Sequence, residues 1–177
     1  GMPQTLKPDT PAGTPAAGAV AFRRQVLPQD ALLVRRVVES TGFFTPEEAD
    51  VAQELVDEHL MHGAACGYHF VFATEDDDMA GYACYGPTPA TEGTYDLYWI
   101  AVAPHRQHSG LGRALLAEVV HDVRLTGGRL LFAETSGIRK YAPTRRFYER
   151  AGFSAEAVLK AFYRAGDDKI IYRLEVA

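Results

Sequence analysis

Apolar and polar positions along this chain follow two periods, one near two residues and one near 3.6, and the changes of period mark its elements. From Met2 to about Ala21, proline, alanine, glycine and threonine leave almost no large side chain to bury, so residues 1–20 read as a disordered tail ahead of a domain over 21–177. Gly1 before Met2 reads as the remnant of an expression tag. Ala21 to Leu27 predicts a strand, and Leu32, Leu33, Val37 and Val38 predict a helix over Asp30 to Ser40. Thr45, Pro46 and Glu48 then combine an N-cap, a proline at the first helical position and a capping-box acid. The buried stripe expected of that second helix is Val51, Ala52, Leu55, Val56 and Leu60.

The period then shortens. Tyr68 to Thr74 and Ala80 to Tyr85 read as a hairpin closed by the acidic turn Glu75 to Asp78. Thr94 to Ala103 is apolar on both faces, which places it inside a sheet rather than at its edge. A glycine-containing loop leads to a helix through about Leu125, with Leu111, Leu115, Val119 and Val123 on one side and Gly127-Gly128 as its stop. Arg129 to Thr135 predicts a buried strand, Pro143 to Ala151 a helix capped by Gly152, and Phe153 to Tyr163 and Ile170 to Val176 a closing pair around Ala165 to Asp168. Antiparallel strands, a strand-helix-strand-helix core and a final pair make an α/β domain with a mixed sheet.

Composition narrows the function. Hydrophobic residues at 47% and charged ones at 23% are globular usage, and a net charge of -5 argues against a nucleic-acid partner, which wants a basic face. No apolar run approaches the roughly 20 residues that span a bilayer, and the amino terminus lacks a signal-peptide pattern, so no membrane partner and a cytoplasmic location are expected. Cys66 and Cys84, the two cysteines, read as reduced core residues. His59 and His62 are three apart on a helix without an evident third ligand, so no metal is expected.

The most informative stretch runs from Val102 to Arg113. Its glycines let the backbone approach an anion, and the N–H groups at the following helix start point toward it. A P-loop is excluded because no lysine follows the glycines. A dinucleotide fingerprint fits Gly110 and Gly112, but Leu115 occupies its third small position and Pro104 to Ser109 separate strand from glycines too widely. His105, Arg106, His108 and Arg113 form a basic cluster suited to phosphates, whereas Arg145, Arg146 and Arg150 read as a solvated helix face.

Gln107, Gly110 and Gly112, preceded by Ile100-Ala101-Val102 and Pro104 and followed by Phe147-Tyr148-Glu149-Arg150 and Gly152-Phe153, resemble in order the motifs of the GNAT superfamily of N-acetyltransferases. The resemblance implies the GNAT (acyl-CoA N-acyltransferase) fold, a mixed, mostly antiparallel sheet flanked by helices, and acetyl-CoA as cosubstrate. It implies that backbone around Ile100, Ala101 and Val102 pairs with the pantetheine arm, that the amides of His108, Ser109, Gly110, Leu111, Gly112 and Arg113 hold the pyrophosphate, and that Gln107 belongs to the same cofactor-binding set. Tyr148 matches the tyrosine that protonates the coenzyme A sulfur in many members. Tyr141 departs from the pattern, since many relatives carry asparagine there.

Acetyl transfer needs an uncharged nitrogen, and a lysine-like amine of pKa about 10.4 is neutral only to about one part in two thousand at pH 7, so a base matters. Asp96 and Glu134 interrupt apolar strands at positions where family members place carboxylates; burial would raise either toward useful basicity, and an ordered water is the third candidate. The expected function is transfer of an acetyl group to a primary amine of a small molecule or peptide by direct attack. A non-catalytic acyl-CoA-binding sensor or partner-binding module is the alternative, and a nicotinamide-dependent oxidoreductase ranks third. The residue types name no acceptor, leave other acyl groups open, and are compatible with a homodimer. Residues 45–62 and the Gly86 to Gly93 loop are expected to border the acceptor pocket, with Trp99 in the core.

Overall fold

The computed structural model describes residues 19–177, so the expected tail over 1–20 falls almost wholly outside the described residues. Seven strands form one mixed sheet: β1 (Val20–Arg23), β2 (His69–Glu75), β3 (Asp78–Pro87), β4 (Thr94–Val102), β5 (Leu130–Ser136), β6 (Ser154–Arg164) and β7 (Asp167–Glu175), in the order β1-β2-β3-β4-β5-β7-β6. Among the described residues the helices are α1 (Asp30–Ser40), α2 (Pro46–His62), α3 (Leu111–Leu125) and α4 (Ala142–Arg150). β4 and β5 run parallel, whereas β1 with β2, β2 with β3, β5 with β7 and β6 with β7 are antiparallel. None of these helices is long and apolar enough to cross a membrane.

The chain divides into two compact units, and β4 and α3 each contribute to both. One unit takes the chain through Gly86 together with Trp99–Val119. Its core is built by Val34, Val37 and Val38 of α1, Ala49, Ala52 and Val56 of α2, and Phe70, Phe72 and Tyr82 from the hairpin. The capping box at α2 forms as its sequence specifies: Thr45 Oγ1 accepts from the Glu48 amide at 3.2 Å while Glu48 accepts from the Thr45 amide at 3.0 Å. The expected α2 stripe shifts, because Val51 and Leu60 are exposed and Ala49 is buried. The face turned to α1 follows 49, 52 and 56, where small residues admit close helix contact, and Val51 lies about 100° away from Ala52. Leu32 is likewise exposed. The first strand stops at Arg23, short of Leu27, because buried Asp30 draws the chain inward: it pairs with the Arg23 guanidinium at 2.7 and 2.8 Å and accepts the Leu27 N–H at 2.7 Å.

Within this unit Gly81 has a particular role. A Cβ there would lie 2.8 Å from the Ala101 carbonyl oxygen, 3.2 Å from Leu115 Cδ1 and 3.3 Å from Val102 Cα. The missing side chain lets the end of β4 and the first turns of α3 close on β3. A hydrogen bond from the Ala103 amide to the Ala80 carbonyl, 2.8 Å, fixes the same junction.

The other unit comprises Pro87–Tyr98 and Val120–Ala177. Here α3 ends in a Schellman cap, with Gly127 at φ 78 and hydrogen bonds Gly128 N–H to Val123 and Gly127 N–H to Arg124. The same pattern closes α4, where Phe153 N–H bonds Tyr148 and Gly152 N–H bonds Glu149. Cys84 is buried as expected, but Cys66 sits half-buried in the short 3-10 turn after α2, its sulfur accepting the Tyr68 amide at 3.4 Å rather than joining the core.

Candidate active site

The loop after β4 begins as one 3-10 turn, Pro104–Arg106, and then carries His108 and Gly110 into left-handed conformations, φ 63 and 84. Alternating such residues with ordinary ones turns successive N–H groups to one side, as in an anion-binding nest. The first turn of α3 adds its own donors, for which a helix has no internal acceptors. Among the described residues, Ala114 is the first after Gln107 whose N–H reaches a backbone carbonyl, that of Gly110 at 3.0 Å. Amides from His108 to Arg113 make no such bond among the described residues. Nothing lies within 4 Å of a Cβ built on Gly110, so the approach is open.

Side chains brace this loop. Gln107 donates its amide to the Val102 carbonyl at 3.2 Å, tying the loop to the strand, and Ser109 donates its hydroxyl to the Arg106 carbonyl. The basic cluster expected from the sequence divides: Arg106 pairs with Glu75 at the end of β2, and His105 Nε2 lies 3.5 Å from the same carboxylate. A carboxylate satisfies Arg106, which leaves the His108 and Arg113 side chains of the loop with no carboxylate partner among the described residues. The Arg113 Nε is buried without a hydrogen-bond partner. Glu75 was not legible as a site residue, because only the hairpin brings it to a loop far along the chain.

In the other unit, Tyr148 is buried on α4, its ring 5.2 Å from Phe153 and 5.6 Å from Tyr172. Burial raises its phenol above the ordinary tyrosine range, so it is neutral and able to donate. Among the described residues no group hydrogen-bonds that hydroxyl. Neighbouring Tyr172 differs: its hydroxyl donates to Glu149 at 3.0 Å, and burial together with that bond pushes its pKa up to about 12. Tyr141 makes no side-chain cap at the start of α4. Arg145 is no solvated face residue; it donates to the Ser136 and Ile138 carbonyls, both at 2.8 Å, and pins the segment between β5 and α4.

The two candidate bases sit differently from each other. Asp96 is half-buried and accepts the Thr88 hydroxyl at 2.7 Å. Glu134 is exposed rather than buried and pairs with Lys169 at 2.7 Å, so the desolvation expected at that carboxylate is not found. Register relates them: Asp96 pairs with Phe132 and Leu97 with Ala133, after which β5 continues to Glu134 beyond the last pair. Strand alternation puts Asp96, Phe132 and Glu134 on one face and Ala133, with its β7 partner Tyr172, on the other. Tyr148 packs on the Tyr172 face, so Tyr148 and the two carboxylates lie on opposite faces of the sheet. His59, considered for a metal, instead donates Nδ1–H to the Tyr68 carbonyl at 2.7 Å. Trp99 packs against the core cluster, its ring 4.7 Å from Phe44.

The sequence signature of the acetyltransferase (GNAT) family matches residues 35–153, which take in the loop, both candidate bases and α4. The chain belongs to the GNAT family. Among solved structures, this GNAT chain is similar to a protein of Desulfovibrio desulfuricans assigned to the GNAT family of acetyltransferases, with 99% identity and a TM-score of 0.88 over 90% of this chain and 100% of that one. The Escherichia coli ribosomal-protein-S18-alanine N-acetyltransferase shares the fold at 21% identity and a TM-score of 0.69, covering 90% of this chain and 95% of that one. An aminoglycoside 6'-N-acetyltransferase complexed with coenzyme A does so at 17% identity and a TM-score of 0.73, covering 90% and 97%. Among proteins of curated function, none matches the chain. The mixed seven-stranded sheet with its four described helices is therefore the GNAT fold.

Proposed function

We propose that this GNAT chain transfers the acetyl group of acetyl-CoA to a primary amine of a small molecule or peptide, by direct attack of the amine on the thioester. The observation that carries the reading is the run of amides from His108 to Arg113 with no backbone acceptor before Ala114. A diphosphate matches such a donor array in charge and in the number of oxygens it offers. Each favourable charge at a helix start gains about 0.3–1 kcal/mol, before the direct hydrogen bonds are counted. Backbone of Ile100, Ala101 and Val102 is the natural partner for the peptide-like amides of pantetheine, which pair as an added strand would. The two related acetyltransferases act on amines, one of a protein and one of an aminoglycoside, and the second is complexed with coenzyme A.

In this reading the two faces of the sheet divide the chemistry. Tyr148 donates the proton that the departing thiolate requires; its raised pKa is no obstacle, since the dry surroundings that disfavour a phenolate disfavour a thiolate as well. The amine is deprotonated on the other face by Asp96, by Glu134, or by a water that one of them orders. The location consistent with free acetyl-CoA is the cytoplasm. Calorimetric titration with acetyl-CoA tests the reading: saturable one-site binding is expected, and its absence in folded protein refutes it.

A further inference from the structure

The face of the sheet that carries Asp96 and Glu134 also holds a feature the reaction does not call for. On β7, Lys169 is the register partner of Ser136, which lies two residues beyond Glu134 on β5. Its ammonium meets the Glu134 carboxylate at 2.7 Å and lies over the Phe162 ring, 4.2 Å from the centroid. The side chain is only 15% exposed, whereas Lys160 on the neighbouring strand is 82% exposed. Lys169 is thus folded over the surface, with a carboxylate on one side of its nitrogen and an aromatic face on the other.

Phe162 is placed there by an irregularity of β6. Pairing jumps from Leu159–Lys169 to Arg164–Asp167, so four residues bulge opposite Asp168. Ala161 takes φ 52, and its N–H is held by Asp168 Oδ1 at 2.8 Å. That bond, with Lys160 beside it, keeps the Asp168 carboxyl below its ordinary pKa. Bulges of this kind re-aim side chains next to functional sites. Phe162 and Tyr163 are both exposed despite their size, their rings edge to face at 5.2 Å. Burial, then the negative charge of Glu134 and Asp167, raises the Tyr163 phenol.

Resting on the acetyl-transfer reading above, we infer that Glu134 and Phe162 form the ammonium-recognition corner of the acceptor site, and that the Lys169 side chain occupies it until a primary alkylammonium takes its place. The chemistry selects that class of guest. A carboxylate wants an N–H donor, which a quaternary ammonium lacks, and an aromatic face wants a cation, which an amide or alcohol lacks. The internal occupant is itself a –CH2–NH3+ group, so the guest restores both contacts that it displaces. Displacement is inexpensive, because an ion pair with a half-exposed partner adds little to stability. After exchange, the amine to be acetylated lies against Glu134, on the face opposite Tyr148 and just past the last β4–β5 pair.

NMR titration of the full chain with n-butylammonium, in the absence of acetyl-CoA, tests the corner. Lys169→Met removes the competitor and is expected to tighten binding roughly three- to sixfold, whereas Lys169→Arg, which keeps a cation in place, stays near wild type. Lys160→Met removes the same charge from β6 without vacating the corner and is expected to leave binding unchanged. Adding Phe162→Leu to Lys169→Met is expected to weaken binding roughly two- to fivefold, and tetramethylammonium to bind more weakly than n-butylammonium throughout. Unchanged or weaker binding in Lys169→Met, equal gains in Lys160→Met, or no binding to any variant overturns the proposal. Acetyl-CoA calorimetry on the same samples keeps the two readings apart: intact cofactor binding with a failed amine titration removes only the corner.

Discussion

Replacing Gly81 with alanine tests whether the close approach of β3 to the end of β4 supports the cofactor loop. The new Cβ would meet the Ala101 carbonyl oxygen at 2.8 Å, a distance that real Cβ contacts do not adopt, and Val102 Cα at 3.3 Å. Leu115 can turn its terminal methyl away, but the β4 backbone is held by the Ala103 to Ala80 hydrogen bond and has little freedom to retreat. Overpacking of this kind costs about 1–3 kcal/mol. Against it stands about 0.5–1 kcal/mol gained because alanine has fewer unfolded conformations than glycine. The net expectation is a loss of about 1–2 kcal/mol, or a fall in Tm of roughly 2–8 °C for a chain of this size. Urea denaturation measures the first and calorimetry with acetyl-CoA reads the second consequence, a weaker cofactor, because the displaced atoms are those of Ala101 and Val102. Gly42→Ala is the matched control: φ is 65 and nothing lies within 4 Å, so it strains only a remote turn and should lower stability while leaving affinity intact. Undiminished stability in Gly81→Ala would show that the junction is loose. Lost stability with unchanged acetyl-CoA affinity would separate the junction from the cofactor loop.

Two further outcomes are expected. Tyr148→Phe should reduce kcat by at least about a hundredfold, the low side of general acid catalysis, without weakening acetyl-CoA binding; steady-state kinetics with calorimetry checks both, and unchanged kcat removes Tyr148 from the mechanism. Glu75→Gln removes the carboxylate that pairs with Arg106, so if the ion pair positions the loop the KM for acetyl-CoA should rise severalfold with kcat preserved, and the Glu75→Gln, Arg106→Gln double variant should be no worse than either single one. A fall in KM on Glu75→Gln would instead mean that Arg106 serves the phosphates directly.

Read from the residues alone, α1, the capping box of α2, the stripe of α3 and the glycine stops of α3 and α4 were all legible, because each depends on neighbours within one or two turns. The order of motifs from Ile100 to Phe153 also identified the family, since a loop that presents its own amides needs glycines at fixed separations. What escaped were contacts between distant segments. No local signal marks Glu75 as the partner of Arg106, Thr88 as the donor to Asp96, or Lys169 as the cation between Glu134 and Phe162. The exposure of Glu134 was misjudged because an apolar strand does not disclose which of its faces is covered, and Arg145 looked like its neighbours until the chain folded back to offer it two carbonyls. Periodicity and capping are properties of a single segment and travel with the sequence. Register, the pairing of charges and the face on which a side chain emerges exist only once separate strands have been aligned, and those were decided by the sheet.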